Sequence, residues 1–248
     1  MKSAKRYGLA FLPIIGLCLV AVEALANSDA VETGRLLAVL LDAGRTVVAD
    51  HQTLINDPKR GHKGFTPEVF ERQVTDYFKE RINIDLANLK NARVPEMAKK
   101  LLPILVQVEK IVVSDVQRII NMEGVGYKGF TPTVFAASAV SKLRAYTDIT
   151  VRQTMNAPRN PRNAPDPFEA KVLEQFADPQ YPRHGETIVS EVVDGGKSVR
   201  VMLPLYYGKS CLSCHGEPKG EKDVSGYAKE GRKEGDLGGA ISVKLETK

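Results

Sequence analysis

The stretch GHKGFTPEVF, Gly61 to Phe70, returns 65 residues later as GYKGFTPTVF, Gly126 to Phe135, with eight of its ten letters unchanged. At the same displacement VVADHQTLIN, Val47 to Asn56, matches VVSDVQRIIN, Val112 to Asn121, and Asn91-Ala92 matches Asn156-Ala157. The register holds without a gap, so the chain carries a duplicated supersecondary unit. Two copies are too few for a solenoid, which needs at least three stacked repeats.

The unit reads as a helical hairpin. Upstream of the conserved turn, Leu36, Leu37, Leu40, Leu41, Val47, Val48, Leu54 and Ile55 recur with helical spacing once His51 is counted on the same face. Leu101 to Ile120 repeats the pattern. Thr66-Pro67 and Thr131-Pro132 then each set an N-cap hydroxyl before a proline suited to the first helical position, so a second helix starts in each copy. Two such hairpins can bury their apolar faces against each other as a four-helix bundle.

Outward from the repeat, the N-terminus has the form of an export signal. Lys2, Lys5 and Arg6 precede an uncharged run from Gly8 to Val22, and Ala24-Leu25-Ala26 offers a cleavage site. That run is shorter than the ~20 residues a bilayer core requires, and Pro13 and Gly16 interrupt it. Lipidation at Cys18 is disfavoured by the large Leu17 before it. The expected organisation is a signal peptide over 1–26, a helical region over 27–157 and an α+β region over 158–248, with a periplasmic mature chain and no membrane span after cleavage.

Cleavage would lower the formal net charge from +5 to +3 by removing three basic residues and Glu23, and would leave Cys211 and Cys214 as the remaining cysteines. Charges of both signs are mixed along the chain, so neither nucleic acid nor an anionic membrane is indicated as a partner. An exported chain with one adjacent cysteine pair has no disulfide framework. The pair is either a redox-active C-x-x-C or a cofactor attachment point.

Past Val151 the texture changes. PRNPRNAPDPF, Pro158 to Phe168, is too rich in proline for a helix interior. A short helix over Phe168 to Phe176 follows, then a hairpin of Thr187 to Val193 and Ser198 to Leu205 around Asp194-Gly195-Gly196, and a last strand over Ala240 to Leu245. Between the last two strands lies KSCLSCHGEP, Lys209 to Pro218. Cys211, Cys214 and His215 form C-x-x-C-H, in which two thiols can add across the vinyl groups of a haem while the adjacent histidine ligates the iron. One covalent haem c is the cofactor expected. A thioredoxin-like dithiol would want a βαβ context that is missing, and a zinc site a fourth ligand.

GHKGFTPEVF, RNPRNAPDPFE, LPLYYGKSCLSCHGEPKGE and GYAKEGRKEGDLGGAISV together punctuate almost all of the mature chain. On these segments the sequence resembles the single-haem c-type cytochrome domains of bacterial secreted proteins and of the extracytoplasmic parts of some histidine kinases and chemoreceptors. The resemblance implies an α+β fold in which N-terminal duplicated helical hairpins pack against a C-terminal PAS-like antiparallel sheet carrying the haem. It also implies a role in redox or ligand sensing or in electron transfer. Some members use a cysteine from a helix near the N-terminus as the sixth iron ligand. Here no mature cysteine is left to serve.

The repeat offers a substitute, because His51 stands where the second copy has Val116. It reads either as the distal iron ligand or as a core histidine satisfied by a neighbour. His62, His184, Met122, Met155 and Met202 are rivals. Arg159, Arg162 and Lys209 are candidate partners for the haem propionates, with an ordinary solvated role as the alternative for each. The distal ligand decides function: a strong one makes a closed electron carrier that meets a redox partner protein, and a displaceable one admits a small gaseous ligand. A peroxidase would need distal acid–base residues, and no motif names them, so the chain reads as a sensor or carrier more readily than as an enzyme.

Overall fold

The computed structural model describes residues 14–183 and 186–247, with side chains from residue 27 onward. The signal-peptide reading therefore falls partly, and His184 wholly, outside the described residues. Helix α1 spans Ile14–Asp50 and breaks at His51 into a single further turn, α2 (Gln52–Ile55). After the Gly61–Phe65 turn comes α3 (Pro67–Ile82). The second copy repeats this as α4 (Glu96–Asp115), α5 (Gln117–Ile120) and α6 (Pro132–Leu143).

The duplicated letters encode duplicated geometry. His51 and Val116 both break their helix, at φ/ψ of −95°/4° and −96°/0°. Gly64 and Gly129 both take a left-handed φ, 71° and 70°, a conformation that a residue with a Cβ resists. Thr66 and Thr131 each accept the amide of the residue three positions on, Val69 and Val134, at 3.3 Å, ahead of a proline. Each cap is worth about 1 kcal/mol. Lys63 and Lys128 are buried, and each ammonium is held by carbonyls of its own turn: Asp57 and Arg60 in the first copy, Met122 and Val125 in the second.

The likeness ends with α3 and α6. The matched pair Asn91-Ala92 and Asn156-Ala157 is not structurally equivalent: Asn91 closes a 3-10 helix over Leu86–Asn91, whereas Ala157 sits at φ 52° in a loop. The chain after α6 enters a strand instead.

That strand, β1 (Thr150–Thr154), lies within the stretch expected to be helical. It is an edge strand with a single large apolar residue, Val151, facing the core, so its pattern is too thin to read. Helix α7 (Pro167–Ala177) follows, its start fixed by a capping box between Asp166 and Glu169. Next come β2 (Val189–Val193), β3 (Ser198–Tyr206), the one-turn α8 (Leu212–His215) and β4 (Leu237–Glu246). The strands form one antiparallel sheet in the order β1-β4-β3-β2.

One face of the sheet shares a core with the helices. Val199, Val201 and Leu203 of β3 stand opposite Leu245, Val243 and Ile241 of β4, and all are buried in the cluster that holds Leu36, Leu40, Val47, Phe70 and Phe135. Helix α1 is the shared element: it packs on α3, α4 and α6, on β3 and β4, and on the Lys209–Cys211 turn. The other face is covered by α7, whose Val172, Leu173 and Phe176 meet Met202 and Ala240. There the fully buried Glu169 accepts from Arg200 at 3.2 Å and from the Asp166 amide at 3.1 Å. Among the described residues no helix is long and apolar enough to cross a membrane.

Candidate functional site

The C-x-x-C-H segment hangs from one end of the β3–β4 pair. Past a register shift at Leu205/Tyr206, Tyr207 still donates its amide to Asp236 at 2.9 Å and accepts from Gly235 at 2.8 Å, which pins the mouth of the loop between them. Lys209–Cys211 form a 3-10 turn that runs into α8. Gly216 closes that turn: a Cβ there would sit 2.6 Å from the Leu212 carbonyl oxygen, so only glycine fits directly after His215. Both thiols are free and partly exposed.

His215 is held on three sides. Its ring lies 5.1 Å from the ring of Tyr207, its carbonyl accepts the Arg232 amide at 2.8 Å, and its Nδ1 is 2.8 Å from Glu230 Oε2. With Nδ1 bound to a carboxylate, Nε2 is the nitrogen left to ligate a metal, the usual arrangement of a metal-binding histidine. Burial lowers the imidazole's affinity for a proton, and Glu230 opposes this only in part. The shift favours the neutral ring, the form that can ligate a metal.

Glu230 is positioned in turn by Arg159. The guanidinium donates to both Glu230 oxygens at 2.6 and 3.0 Å, to Asp223 Oδ2 at 2.6 Å and to the Cys214 carbonyl at 2.9 Å, and its carbon stands 5.2 Å from the centre of the Tyr227 ring. Burial pushes the carboxyls of Glu230 and Asp223 up, but hydrogen bonds from Arg159 to both, from His215 to Glu230 and from Ser225 to Asp223 outweigh it and hold both below their ordinary range. Asp223 also organises its own loop, accepting from the Ser225 hydroxyl at 2.6 Å and the Ser225 amide at 2.8 Å. The Gly- and Lys-rich segment after His215 is thus an ordered brace.

Of the candidate propionate partners, Arg159 reaches the site but spends its donors on Glu230, Asp223 and Cys214. Arg162 and Lys209 are exposed, and neither side chain forms an ion pair among the described residues. Glu230, Asp223 and Tyr207 carry no local sequence signal and were not expected.

His51 directly follows the C-terminal end of α1. Its Nδ1 is 2.8 Å from the Val47 carbonyl, its ring stacks on Phe65 at 4.4 Å, and it lines a groove with Val47, Asp50, Gln73, Asp76, Tyr77 and Glu80. None of these belongs to the attachment segment. Of the two readings of His51, the satisfied core histidine is the one these contacts favour. His62 is exposed, Met202 is fully buried under α7, and Met122 is exposed in the second turn.

The residues fit a covalent haem. Two partly exposed thiols precede a histidine whose Nδ1 is taken by Glu230, and the buried Nε of Arg232, the residue whose amide bonds the His215 carbonyl, has no hydrogen-bond partner among the described residues.

No curated protein matches the chain. The crystal structure of the cyanobacterial heme-protein Tll0287 is similar at 19% identity and a TM-score of 0.43, over 61% of this chain and 96% of that one. A family model described as Tll0287-like matches residues 23–245, nearly the whole length, and by that match the chain belongs to the Tll0287-like family.

Proposed function

We propose that the protein is an exported, periplasmic monohaem cytochrome of the c type, with Cys211 and Cys214 as the thioether attachment points and His215 as the proximal iron ligand. The observation that carries this reading is the chain Arg159–Glu230–His215, which fixes the imidazole with Nε2 free on the same turn as two accessible thiols. A haem bound there supplies a one-electron couple and a site for a diatomic gas. Glu230 holds the proton on Nδ1 and strengthens His215 as a donor, Arg159 keeps Glu230 ionised, and Tyr207 fixes the plane of the ring. The name of the solved haem-protein and the family match point the same way.

The sheet, with its attachment loop and covering helix, is read as a PAS-like sensor module, and the function as redox or small-ligand sensing. Helix α1 supports this, because it touches both the Lys209–Cys211 turn and every long helix of the bundle, so a shift at the attachment segment has a packed route to the rest of the molecule. The partly exposed thiols also suit a second reading, a soluble electron carrier whose haem edge meets a redox partner.

Acid–acetone extraction and denaturing gels of protein matured in a cytochrome c-competent host test the attachment; haem that leaves the polypeptide refutes it. Carbon monoxide then separates the two roles. Binding to the reduced protein supports sensing, and a reversible couple without binding supports electron transfer.

A further inference from the structure

Helix α7 covers only part of the sheet face on which it lies. Side chains alternate between the two faces of a strand, so Arg200 shares the face of Met202, and Ser242 and Lys244 share that of Ala240, the two sheet residues buried under α7. The register sets Thr150, Lys244 and Arg200 side by side across β1, β4 and β3, with Arg152 beside Ser242 in the next row. Alongside the first turn of α7 these residues line a cavity of about 400 Å³, walled on the β2 side by Val193 and Asp194.

The acids of this cavity are spent on its own cations. The fully buried Glu169 has Oε1 3.2 Å from Arg200 Nη2 and Oε2 3.5 Å from Arg152 Nη1, Asp166 Oδ2 lies 2.8 Å from Arg200 Nη2, and Asp194 Oδ2 lies 2.7 Å from the Lys244 ammonium. Donors remain. Arg200 Nε is buried without a hydrogen-bond partner among the described residues. Ser242 is buried as well, and among the described residues its hydroxyl is engaged only as the acceptor of a long, 3.5 Å contact from Arg200. A buried donor of a charged group is costly to leave unpaired, so the partner that the cavity calls for is an acceptor.

We propose that this cavity binds a small monocarboxylate, whose oxygens accept from Arg200 Nε and the Ser242 hydroxyl while the Lys244 ammonium balances its charge and Val193 meets its apolar tail. Charge decides the class. Three basic and three acidic residues line the space, so a single negative charge spread over two oxygens is accommodated, whereas a phosphate dianion would be repelled by Asp166, Glu169 and Asp194. A volume of about 400 Å³ is more than a bare halide needs and falls in the range of small-molecule sites. The site is independent of the haem reading, because Arg200 stands near the start of β3 and the attachment segment follows its end.

The test uses protein matured in a cytochrome c-competent host and kept in a buffer free of carboxylates and phosphate. Acetate, butyrate and benzoate are titrated in, with inorganic phosphate for comparison. At least one carboxylate should bind saturably by calorimetry and raise the melting temperature by about 5 °C at ~100 times its Kd, with phosphate inert. Arg200→Met should abolish that binding. Because it also strips a partner from Glu169, Lys244→Glu at a partly exposed position is read beside it, and should weaken binding at least about tenfold while the Arg200–Glu169 pair stays in place. No saturable response to any of the three carboxylates overturns the proposal, as does a phosphate response equal to theirs. Carboxylate binding that is unchanged in folded Lys244→Glu protein overturns it too, by placing the site elsewhere. None of these readouts depends on the haem, so failure here leaves the attachment claim standing.

Discussion

Gly44 of α1 and Glu109 of α4 occupy equivalent positions in the two copies, and they face each other: a Cβ on Gly44 would lie 3.1 Å from the Glu109 carboxyl carbon. The rings of the equivalent pair Phe70 and Phe135 likewise meet, at 5.3 Å. Around these contacts the copies exchange bonds. Gln52 donates to the Phe130 carbonyl at 2.9 Å and Gln117 to that of Phe65 at 3.0 Å; Asn121 accepts the Lys63 amide at 2.8 Å and Asn56 that of Lys128 at 2.9 Å. The bundle therefore has an approximate two-fold axis, and a residue near it meets its own counterpart. Two glutamates there would place two carboxyls in one apolar space, so glycine opposite a single glutamate is the arrangement that packs.

Glu109 is fully buried, neither of its oxygens has a hydrogen-bond partner among the described residues, and burial raises its carboxyl well above the ordinary value of 4.5. The native state thus holds a proton that the unfolded chain releases, and stability falls as pH rises past the unfolded value. Glu109→Gln removes this dependence. Its advantage over wild type in chemical denaturation should be small at pH 4 and grow by about 1.4 kcal/mol per pH unit until the native carboxyl itself ionises. A gap between the two proteins that stays constant from pH 4 to 8 would show that Glu109 has an unrecognised partner.

How much of this was legible depends on whether a residue acts on near or distant neighbours. Thr66-Pro67, Thr131-Pro132 and the Gly64 and Gly129 turns act within a few residues, and the repeat displays them. Cys211, Cys214 and His215 are likewise a local pattern. Glu230 lies fifteen residues beyond His215, and Arg159 more than fifty before it, so their bonds exist only once the loop has folded. The two-fold axis is invisible for a related reason: a repeat states that two units are alike, and their shared contacts are set by packing. β1 escaped because an edge strand of five residues offers too few buried positions to establish a period.

Arg159 bridges Glu230, Asp223 and the Cys214 carbonyl with a planar fork that an ammonium cannot reproduce. Arg159→Lys should therefore behave much like Arg159→Ala, each destabilising the protein by about 2 kcal/mol, since the buried Asp223 loses a charged donor. Full retention of stability by the lysine variant would mean that charge alone holds the brace.

Glu230 is a positioning residue for His215. Glu230→Gln keeps an acceptor near Nδ1 but removes the negative charge that enriches the imidazole, so covalent haem should be retained while the reduction potential rises. Potentiometry reads this directly. An unchanged potential in a haem-loaded variant would place the carboxylate's influence on the loop and not on the iron.

His51 is the histidine that the repeat offers for the position across from His215, and its contacts in the fold favour the other reading, a satisfied histidine. Its Nδ1 is satisfied by Val47, its ring is stacked on Phe65, and its groove is lined by α1 and α3 residues that include Asp50, Asp76 and Glu80. The equivalent Val116 shows that the same helix break forms without an imidazole. His51→Val should thus fold and lose only the ring's stacking and hydrogen bond, about 1 kcal/mol. The ferric and ferrous spectra, and the rate of carbon monoxide binding to the reduced protein, should match wild type. A low-spin wild type that turns high-spin in the folded His51→Val protein would sink this expectation and restore His51 as the distal ligand, drawing α1 into the iron's first coordination sphere.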